Sequence, residues 1–362
     1  MSSLWSPFVN SLKPYVPGQQ SATSGIIKLN TNENPYPPSP RVQDTLRQLD
    51  ADFLRLYPDP ESTELSACIA SYHNVEAGQV FVGNGSDEVL AHAFNAFFRQ
   101  DKSLCFPDIT YSFYPVYCRL YNIDFKMIPL DDNFVIDWTR YPEEAGGIIF
   151  ANPNAPTGIF QSADDIERVL QAHPNTVVVV DEAYIDFVKP DATGSDLSAI
   201  PLLAHYPNLV VTRTVSKSRS LAGLRIGYAL ASVELIDGLK RVKNSFNSYP
   251  VDAVASAVTQ ASFADEDYFQ STCQRVVDNR EQLVAALASL GFASLDSSAN
   301  FIMARHATRP SAEIYAALKA SNVWVRYFNA PRLKDFIRIS IGSADENAEL
   351  LSSLKRILAV DN

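Results

Sequence analysis

The chain reads as an α/β protein: a large domain with a mostly parallel sheet sandwiched by helices, plus a smaller α+β domain. Three observations predict this. At 362 residues the chain exceeds what a single hydrophobic core usually serves, so two domains are expected. From about Val80 to Leu230, short β-branched runs alternate with amphipathic stretches, as βαβ units do. After Pro250 the texture changes to a long helical stretch followed by short strands.

In chain order, residues 1–40 are rich in Pro, Ser and Asn and suit an irregular arm, with one short strand at Ile26-Ile27-Lys28-Leu29. Residues 1–40 are assigned to the arm and part of the small domain, 41–245 to the large domain, and 246–362 to the small C-terminal domain. Gln79-Val80-Phe81-Val82 predicts a strand. Gly83-Asn84-Gly85-Ser86 then opens a helix that places Val89, Leu90, Ala93, Phe94, Phe97 and Phe98 on one face. Gly147-Ile148-Ile149-Phe150-Ala151 predicts another strand, followed by a loop and a helix that Ser162 and Asp165 cap. Thr176-Val177-Val178-Val179-Val180 is uniformly β-branched, as expected of a strand covered on both faces.

Past Pro250, a helical stretch through Val276-Val277 and Leu283-Val284-Ala285-Ala286-Leu287 stops at Gly291. Short strands follow around Phe301-Ile302-Met303, Val323-Trp324-Val325 and Phe336-Ile337-Arg338-Ile339-Ser340. The last helix opens on the capping box Ser343-Ala344-Asp345-Glu346 and carries Leu350, Leu351, Leu354 and Leu358.

Composition narrows the function. A hydrophobic content of 46% with 11% aromatics supplies globular cores and excludes disorder. The net charge of −11 argues against nucleic-acid or anionic-membrane partners, which need a basic surface. An anionic substrate must therefore be met by a few local arginines. The four cysteines are far apart and the five histidines scattered, so neither a disulfide framework nor a metal site is expected. With no signal-peptide pattern and no window near the ~18 apolar residues of a membrane span, a soluble cytoplasmic protein is expected.

Four polar clusters follow candidate buried strands, and in open α/β sheets such loops meet at one ligand site. Gly83-Asn84-Gly85-Ser86-Asp87-Glu88 opens a helix whose free N–H groups and dipole suit a phosphate, though an ordinary capped turn has the same residues. It is not G-x-G-x-x-G, which disfavours a dinucleotide. Asn152-Pro153-Asn154-Ala155-Pro156-Thr157-Gly158 makes a rigid loop able to aim an amide at a ligand oxygen, or a plain connector. Asp181-Glu182-Ala183-Tyr184 places a carboxylate at a strand end, costly to bury without a positive partner; a protonated pyridinium is one such partner. A structural carboxylate is the other reading. In the fourth cluster, Lys217 follows an apolar strand in Val215-Ser216-Lys217, and Arg225 lies shortly beyond. A shielded lysine amine attacks aldehydes, while the hydroxyl and guanidinium nearby suit a phosphate. Pyridoxal 5'-phosphate carries both groups.

On these segments the chain resembles the fold-type I pyridoxal-phosphate-dependent aminotransferases and, within them, the histidinol-phosphate aminotransferase family. The likeness runs from Leu29-Asn30-Thr31-Asn32-Glu33-Asn34-Pro35 to Phe336-Ile337-Arg338-Ile339-Ser340. It includes Leu56-Tyr57-Pro58-Asp59-Pro60, Pro107-Asp108-Ile109-Thr110-Tyr111 and, most specifically, Ser216-Lys217 with Leu221-Ala222-Gly223-Leu224-Arg225. The resemblance implies transamination between L-histidinol phosphate and 2-oxoglutarate, giving imidazole acetol phosphate and L-glutamate, in histidine biosynthesis. It implies that residues 41–245 bind the cofactor. Lys217 would anchor the cofactor and shuttle a proton, Asp181 would pair with the pyridine nitrogen, and Tyr184 with Asn154 would bind the ring hydroxyl. Gly85, Ser86, Asp87, Ser216 and Arg225 would gather around the cofactor phosphate, and Tyr111 would stack on the ring. Tyr57 would reach the cofactor of a neighbouring subunit, which implies a homodimer. Arg326 and Arg338 would bind the anionic end of each substrate, with Tyr15 and Asn32 in the same pocket.

Two positions depart from the family pattern. Ala155 stands where an asparagine is common, leaving Asn154 as the nearest replacement, and Arg219 stands where a bulky apolar residue is common, with no role assigned. Three other activities share these motifs: a broad-specificity or aromatic aminotransferase, a threonine-phosphate decarboxylase, and a non-catalytic pyridoxal-phosphate sensor. The sensor usually carries a DNA-binding domain, which the short arm and acidic balance here do not suit.

Overall fold

The structure, a computed structural model, describes residues 4–20, 25–190 and 197–359. A short helix α1 (Pro7–Ser11) and strand β1 (Ile27–Lys28) precede the main sheet, with α2 (Pro40–Gln48) and α3 (Thr63–His73) after them. The main sheet has seven strands: β2 (Val80–Asn84), β3 (Leu104–Pro107), β4 (Phe125–Ile128), β5 (Gly147–Ala151), β6 (Val178–Asp181), β7 (Leu209–Thr214) and β8 (Ile226–Ala231). Their order is β2-β8-β7-β6-β5-β3-β4. β8 pairs antiparallel with both β2 and β7, and all other neighbours are parallel.

The β-branched runs of β5, β6 and β7 are explained by burial on both faces. Ile148, Phe150, Val178, Val180, Leu209 and Val211 pack with Leu65 and Ile69 of α3, with Ile166 and Leu170 of α6 (Ala163–Ala172), and with Val258. Their neighbours Ile149, Val179 and Val210 face the other way, onto Val89, Leu90 and Phe94 of α4 (Gly85–Phe97) and onto Tyr114 and Tyr117 of α5 (Tyr114–Tyr121). This is the period-two alternation of a strand read on both sides. Each fully buried aliphatic side chain contributes about 1.5–3 kcal/mol. The buried strand β3 and the edge strand β4 lie outside these β-branched runs. Each has four residues, β3 ends in proline, and β4 turns Lys126 and Met127 to solvent.

Beyond α7 (Val233–Asn244) and α8 (Ala253–Phe263), the long α9 (Glu266–Ser289) leads to β9 (Phe292–Ser294), β10 (Phe301–His306), α10 (Ser311–Ala320), β11 (Val323–Trp324), β12 (Arg326–Tyr327), β13 (Ile337–Ser340) and α11 (Ala344–Ala359). A four-stranded antiparallel sheet, β12-β13-β10-β9, packs with α9, α10 and α11 around a second core that includes Ile302, Ile314, Ile339 and Leu350. β1 pairs in parallel with β11, so residues from near the N-terminus join this second body. Both capping pairs form: Ser162 accepts from the Asp165 N–H, and Ser343 accepts from that of Glu346 while Glu346 accepts from that of Ser343.

The junction of β2 and α4 is packed against β8 at Gly227. A Cβ there would lie 2.2 Å from the Ser86 amide nitrogen and 2.5 Å from the Gly85 carbonyl carbon. Gly227→Ala is therefore expected to lower the unfolding free energy by about 1–3 kcal/mol in urea titrations. An unchanged midpoint would show that this close approach does not exist.

Candidate active site

Because β8 runs against its neighbours, its first residue lies at the same edge as the last residues of β2, β3, β5, β6 and β7. A cavity of about 440 Å³ opens there. Its wall includes Ser86, Asp87, Tyr111, Ala155, Pro156, Asp181, Tyr184, Ser216, Lys217 and Arg225 from the main sheet's loops. Tyr15, Asn30, Thr31 and Asn32 close it from the N-terminal segment, and Arg326, Phe328 and Arg338 from the smaller sheet.

Lys217 sits on the loop joining β7 to β8. Its Nζ donates to the Thr31 carbonyl at 3.2 Å and stands 5.9 Å from the centre of the Tyr184 ring. Asp181, the last residue of β6, is buried. Its carboxylate accepts from the Tyr114 hydroxyl at 3.1 Å and the Thr212 hydroxyl at 3.3 Å. Burial pushes its carboxyl up to about 6, and the hydrogen bonds from Tyr114, Thr212 and the Ala183 amide hold it back only in part. These donors are neutral, so none supplies the positive charge that a buried carboxylate favours. The Tyr184 hydroxyl accepts from Asn32 Nδ2 at 3.0 Å, and its ring meets Phe301 edge-on.

At the start of α4, Gly85 has φ +80, and a Cβ there would fall 2.5 Å from Arg225 Nη2. Glycine thus lets the guanidinium lie against the helix N-terminus, beside Ser86. Arg225 Nη2 approaches Asp87 Oδ2 at 3.3 Å, and the Tyr111 hydroxyl donates to Asp87 Oδ1 at 2.9 Å. The free N–H groups of α4, its dipole and the guanidinium make an anion cradle. Asp87 tethers its two neighbours from the side.

Opposite stands a second cationic feature. Arg326 and Arg338 face each other across β12 and β13, and both guanidiniums lie 5.5 Å from the Phe328 ring centre. Arg338 Nη2 donates to the Asn30 carbonyl at 3.0 Å, and its Nε has no protein partner. Burial weakens the hold of Arg338 on its proton, and Arg326 adds to this. Two like charges in a half-closed pocket favour an anionic ligand. Asn32, at φ +56, is fixed by Ser340 and Asn300, and Tyr15 packs on Phe113 and Tyr111.

Two expected site residues are elsewhere. Asn154 turns into its own loop, where Nδ2 donates to the Ile109 carbonyl and Thr157 Oγ1 and Oδ1 accepts from Thr110. Ala155 and Pro156 form the wall instead. Tyr57 is 84% exposed, stacked on Tyr249 and outside the cavity. Tyr114 and Thr212, which orient Asp181, and Thr31, which holds Lys217, were not singled out. Their signal is weak, since each meets its partner only through strand pairing or a distant turn. Arg219 lies outside the cavity, its guanidinium 4.0 and 3.9 Å from the Phe263 and Phe269 ring centres. Among the described residues, no group of three or more His, Cys, Asp or Glu could hold a metal ion, and no helix is long and apolar enough to cross a membrane.

Asp181 gives a pH signature. Its folded value, about 6, lies above the ordinary 3.8, so between these pH values the folded chain binds more protons than the unfolded one. Stability from this group is full below pH 3.8 and lost as pH rises through about 6. In the cofactor-free protein, Asp181→Asn is expected to gain on the parent by about 2 kcal/mol between pH 4 and pH 7 in urea unfolding. Parallel pH curves for the two proteins would refute it.

The family model described as aminotransferase class I and II matches residues 24–354. Histidinol-phosphate aminotransferase 1 of Pseudomonas fluorescens is 53% identical over 354 residues, covering 98% of this chain and 99% of that protein. Histidinol-phosphate aminotransferase of Acinetobacter baumannii is 52% identical over 355 residues, covering 97% and 96%. The crystal structure of histidinol-phosphate aminotransferase from Sinorhizobium meliloti in complex with pyridoxal-5'-phosphate superposes with a TM-score of 0.88, at 24% identity, over 100% of this chain and 99% of that one. That likeness carries the fold, mixed α/β with a parallel-dominated sheet between helices. With the family matched over most of its length, the chain belongs to the class I and II aminotransferases and, among them, to the histidinol-phosphate aminotransferases.

Proposed function

We propose that the protein is a pyridoxal-5'-phosphate-dependent aminotransferase that interconverts L-histidinol phosphate and 2-oxoglutarate with imidazole acetol phosphate and L-glutamate, in histidine biosynthesis. One observation carries the reading: an amine, a buried carboxylate without a cationic partner, and a cationic helix terminus share one cavity, faced by a second pair of guanidiniums. The identity of 52–53% to histidinol-phosphate aminotransferases supports the substrate.

The residues fit pyridoxal phosphate. A protonated ring nitrogen supplies the positive partner that Asp181 lacks. The N-terminus of α4 with Ser86, Ser216 and Arg225 receives the phosphate, and Gly85 and Asp87 shape that cradle. When bound, the cofactor supplies an aldehyde carbon for imine exchange and a ring that accepts electrons from the substrate Cα–H bond. With the cofactor in place, Lys217 would be the amine that holds its aldehyde and would carry a proton to and from the substrate Cα, a task for its neutral form. Asp181 keeps the ring nitrogen protonated. Tyr184 donates to the ring oxygen, and Tyr111 packs on the ring face. Asn154 reaches that oxygen only if its loop bonds are exchanged. Arg326 and Arg338 hold the phosphate of one substrate and the distal carboxylate of the other, with Tyr15 and Asn32 beside them.

The division into an arm (1–40), a cofactor-binding domain (41–245) and a small domain (246–362) belongs to this proposal, supported by the separate cores around the two sheets. So does a homodimer. Leu54, Leu56, Tyr57 and Phe246 are all more than half exposed, an apolar surface that a second copy would cover while bringing Tyr57 to its cofactor phosphate. A cytoplasmic location is supported by four cysteines, none of them paired.

Lys217→Ala is expected to lose the visible absorbance of the holoenzyme and its turnover. Transamination at the parental rate would end the proposal. In a panel of amino donors, histidinol phosphate should outpace phenylalanine, and threonine phosphate should release no carbon dioxide. Subunit sharing has its own test. Lys217→Ala and Tyr57→Ala chains, each impaired alone, should regain up to about a quarter of parental activity when mixed and reassociated, because one site of each hybrid is intact. A mixture no more active than its parts would exclude sharing.

A further inference from the structure

Behind the cavity wall lies a buried group of charges that the reaction does not touch. Arg213, on β7, pairs through Nε with Glu182 Oε2 at 3.0 Å and through Nη1 with Asp186 Oδ1 at 2.7 Å. Glu182 also accepts from Ser198 Oγ at 2.7 Å and the Ala199 amide at 2.6 Å. The second oxygen of Asp186 accepts from Ser218 Oγ at 2.6 Å. None of Glu182, Asp186, Arg213 and Ser218 lines the cavity.

Their positions in the chain are the informative part. Glu182 follows Asp181, Asp186 lies two residues beyond Tyr184, and Ser218 follows Lys217. Glu182 leaves the end of β6 behind the wall, Asp186 sits on the short 3-10 turn that follows, and Ser218 on the turn after Lys217, so the chain beside each cavity group is gripped from behind. Buried ion pairs stabilise folds no better than apolar replacements, whereas they fix geometry through their directional contacts. Ser218 therefore connects the lysine loop to a rigid, charge-assisted anchor. A second grip acts on the same peptides: Asn34 Nδ2 donates to the Lys217 and Ser218 carbonyls, each at 3.1 Å.

We propose that Asp186, acting through the Ser218 hydroxyl and itself held by Arg213, is the positioning residue that sets where the Lys217 amine stands. This rests on Lys217 being the amine that captures the cofactor. A loop free to shift would still bind cofactor and substrates, because the α4 terminus with Ser86 and the Arg326–Arg338 pair belong to other segments, and Arg225 stays tied to Asp87. Proton transfer at Cα would suffer, since it depends on the amine's exact reach.

The test compares Ser218→Ala and Ser218→Cys with the parent, as holoenzymes. Cysteine keeps the size and a weak donor, so it also serves if alanine disturbs folding. The expected result for Ser218→Ala is a kcat lower by about tenfold, with KM for both substrates within about twofold of the parent. The pH midpoint of its visible absorbance should move, and Ser218→Cys should fall between. Parental kcat and midpoint in both variants would overturn the proposal. So would a lowered melting temperature with no spectral shift and no kcat–KM split, which is a merely structural role. Borohydride reduction of the parent provides the control: an adduct on Lys217 with unaffected Ser218 variants defeats only the positioning role, whereas an adduct elsewhere defeats the functional reading as well.

Discussion

The reversed strand β8 is the constraint on which the site depends. A wholly parallel sheet would carry the chain away from the carboxyl edge after β7 and bring it back only through a crossover helix. By turning directly into β8, the chain keeps residues 215–225 over that edge. One loop therefore presents both Lys217 and Arg225. The same strand lies beside β2, so Gly227 meets the backbone of Gly85 and Ser86, and the amine, the guanidinium and the helix terminus become one unit. A sheet built for stability alone has no need of this arrangement, since β8 contributes the same burial in either direction.

Charge in the cavity is arranged against the chain's overall balance. The protein carries −11 in total, yet the groups that face a ligand's anionic ends are cationic: Arg225 with the α4 terminus on one side, Arg326 and Arg338 on the other. Between them Asp181 is a buried carboxylate without the cationic partner that Asp87 and Asp108 each have. Its position at the end of β6, beneath the other strand ends, suits a ligand that is cationic at its centre and anionic at both extremities. A ring with a protonated nitrogen, a phosphate on one side and an anionic substrate on the other has that pattern. The electrostatic layout therefore restricts ligands more tightly than cavity size does.

Most of this was legible in the sequence where burial acts on both faces. The runs at 147–151 and 176–180 could be read as strands because both sides must be apolar, and the loops after them followed by the rule of strand ends. Lys217, Asp181, Ser86 and Arg225 were found this way. Strand β4 escaped because it is a sheet edge that turns Lys126 and Met127 to solvent, and β3 because it is only four residues long and ends in proline, although all four are buried. Asn154 was placed by adjacency to Ala155. Hydrogen bonding inside its loop, with Ile109, Thr110 and Thr157, decides its direction, and no periodicity records that. Arg219 shows the same limit: its neighbours Phe263 and Phe269 lie more than forty positions away, and only packing brings them together.

The cavity wall also holds groups that folding leaves unfulfilled. Asp181 is buried among neutral donors, and both Arg338 Nε and Asn30 Oδ1 are buried without a protein partner. Each costs the folded chain something, because a buried polar group without its complement loses hydration and gains nothing in return. An interior selected for stability alone would fill such positions with apolar side chains. Two of them lie where a ligand of the proposed chemistry would supply the missing partner: a ring N–H for Asp181, and an anionic oxygen for Arg338. Binding of such a ligand would recover what folding forgoes and stabilise the folded chain. The strain is local to the wall. Behind it, Glu182, Arg213, Asp186 and Ser218 are tied to one another by ion pairs and hydrogen bonds, so the scaffold that aims the reactive groups is charge-matched while those groups wait for a ligand.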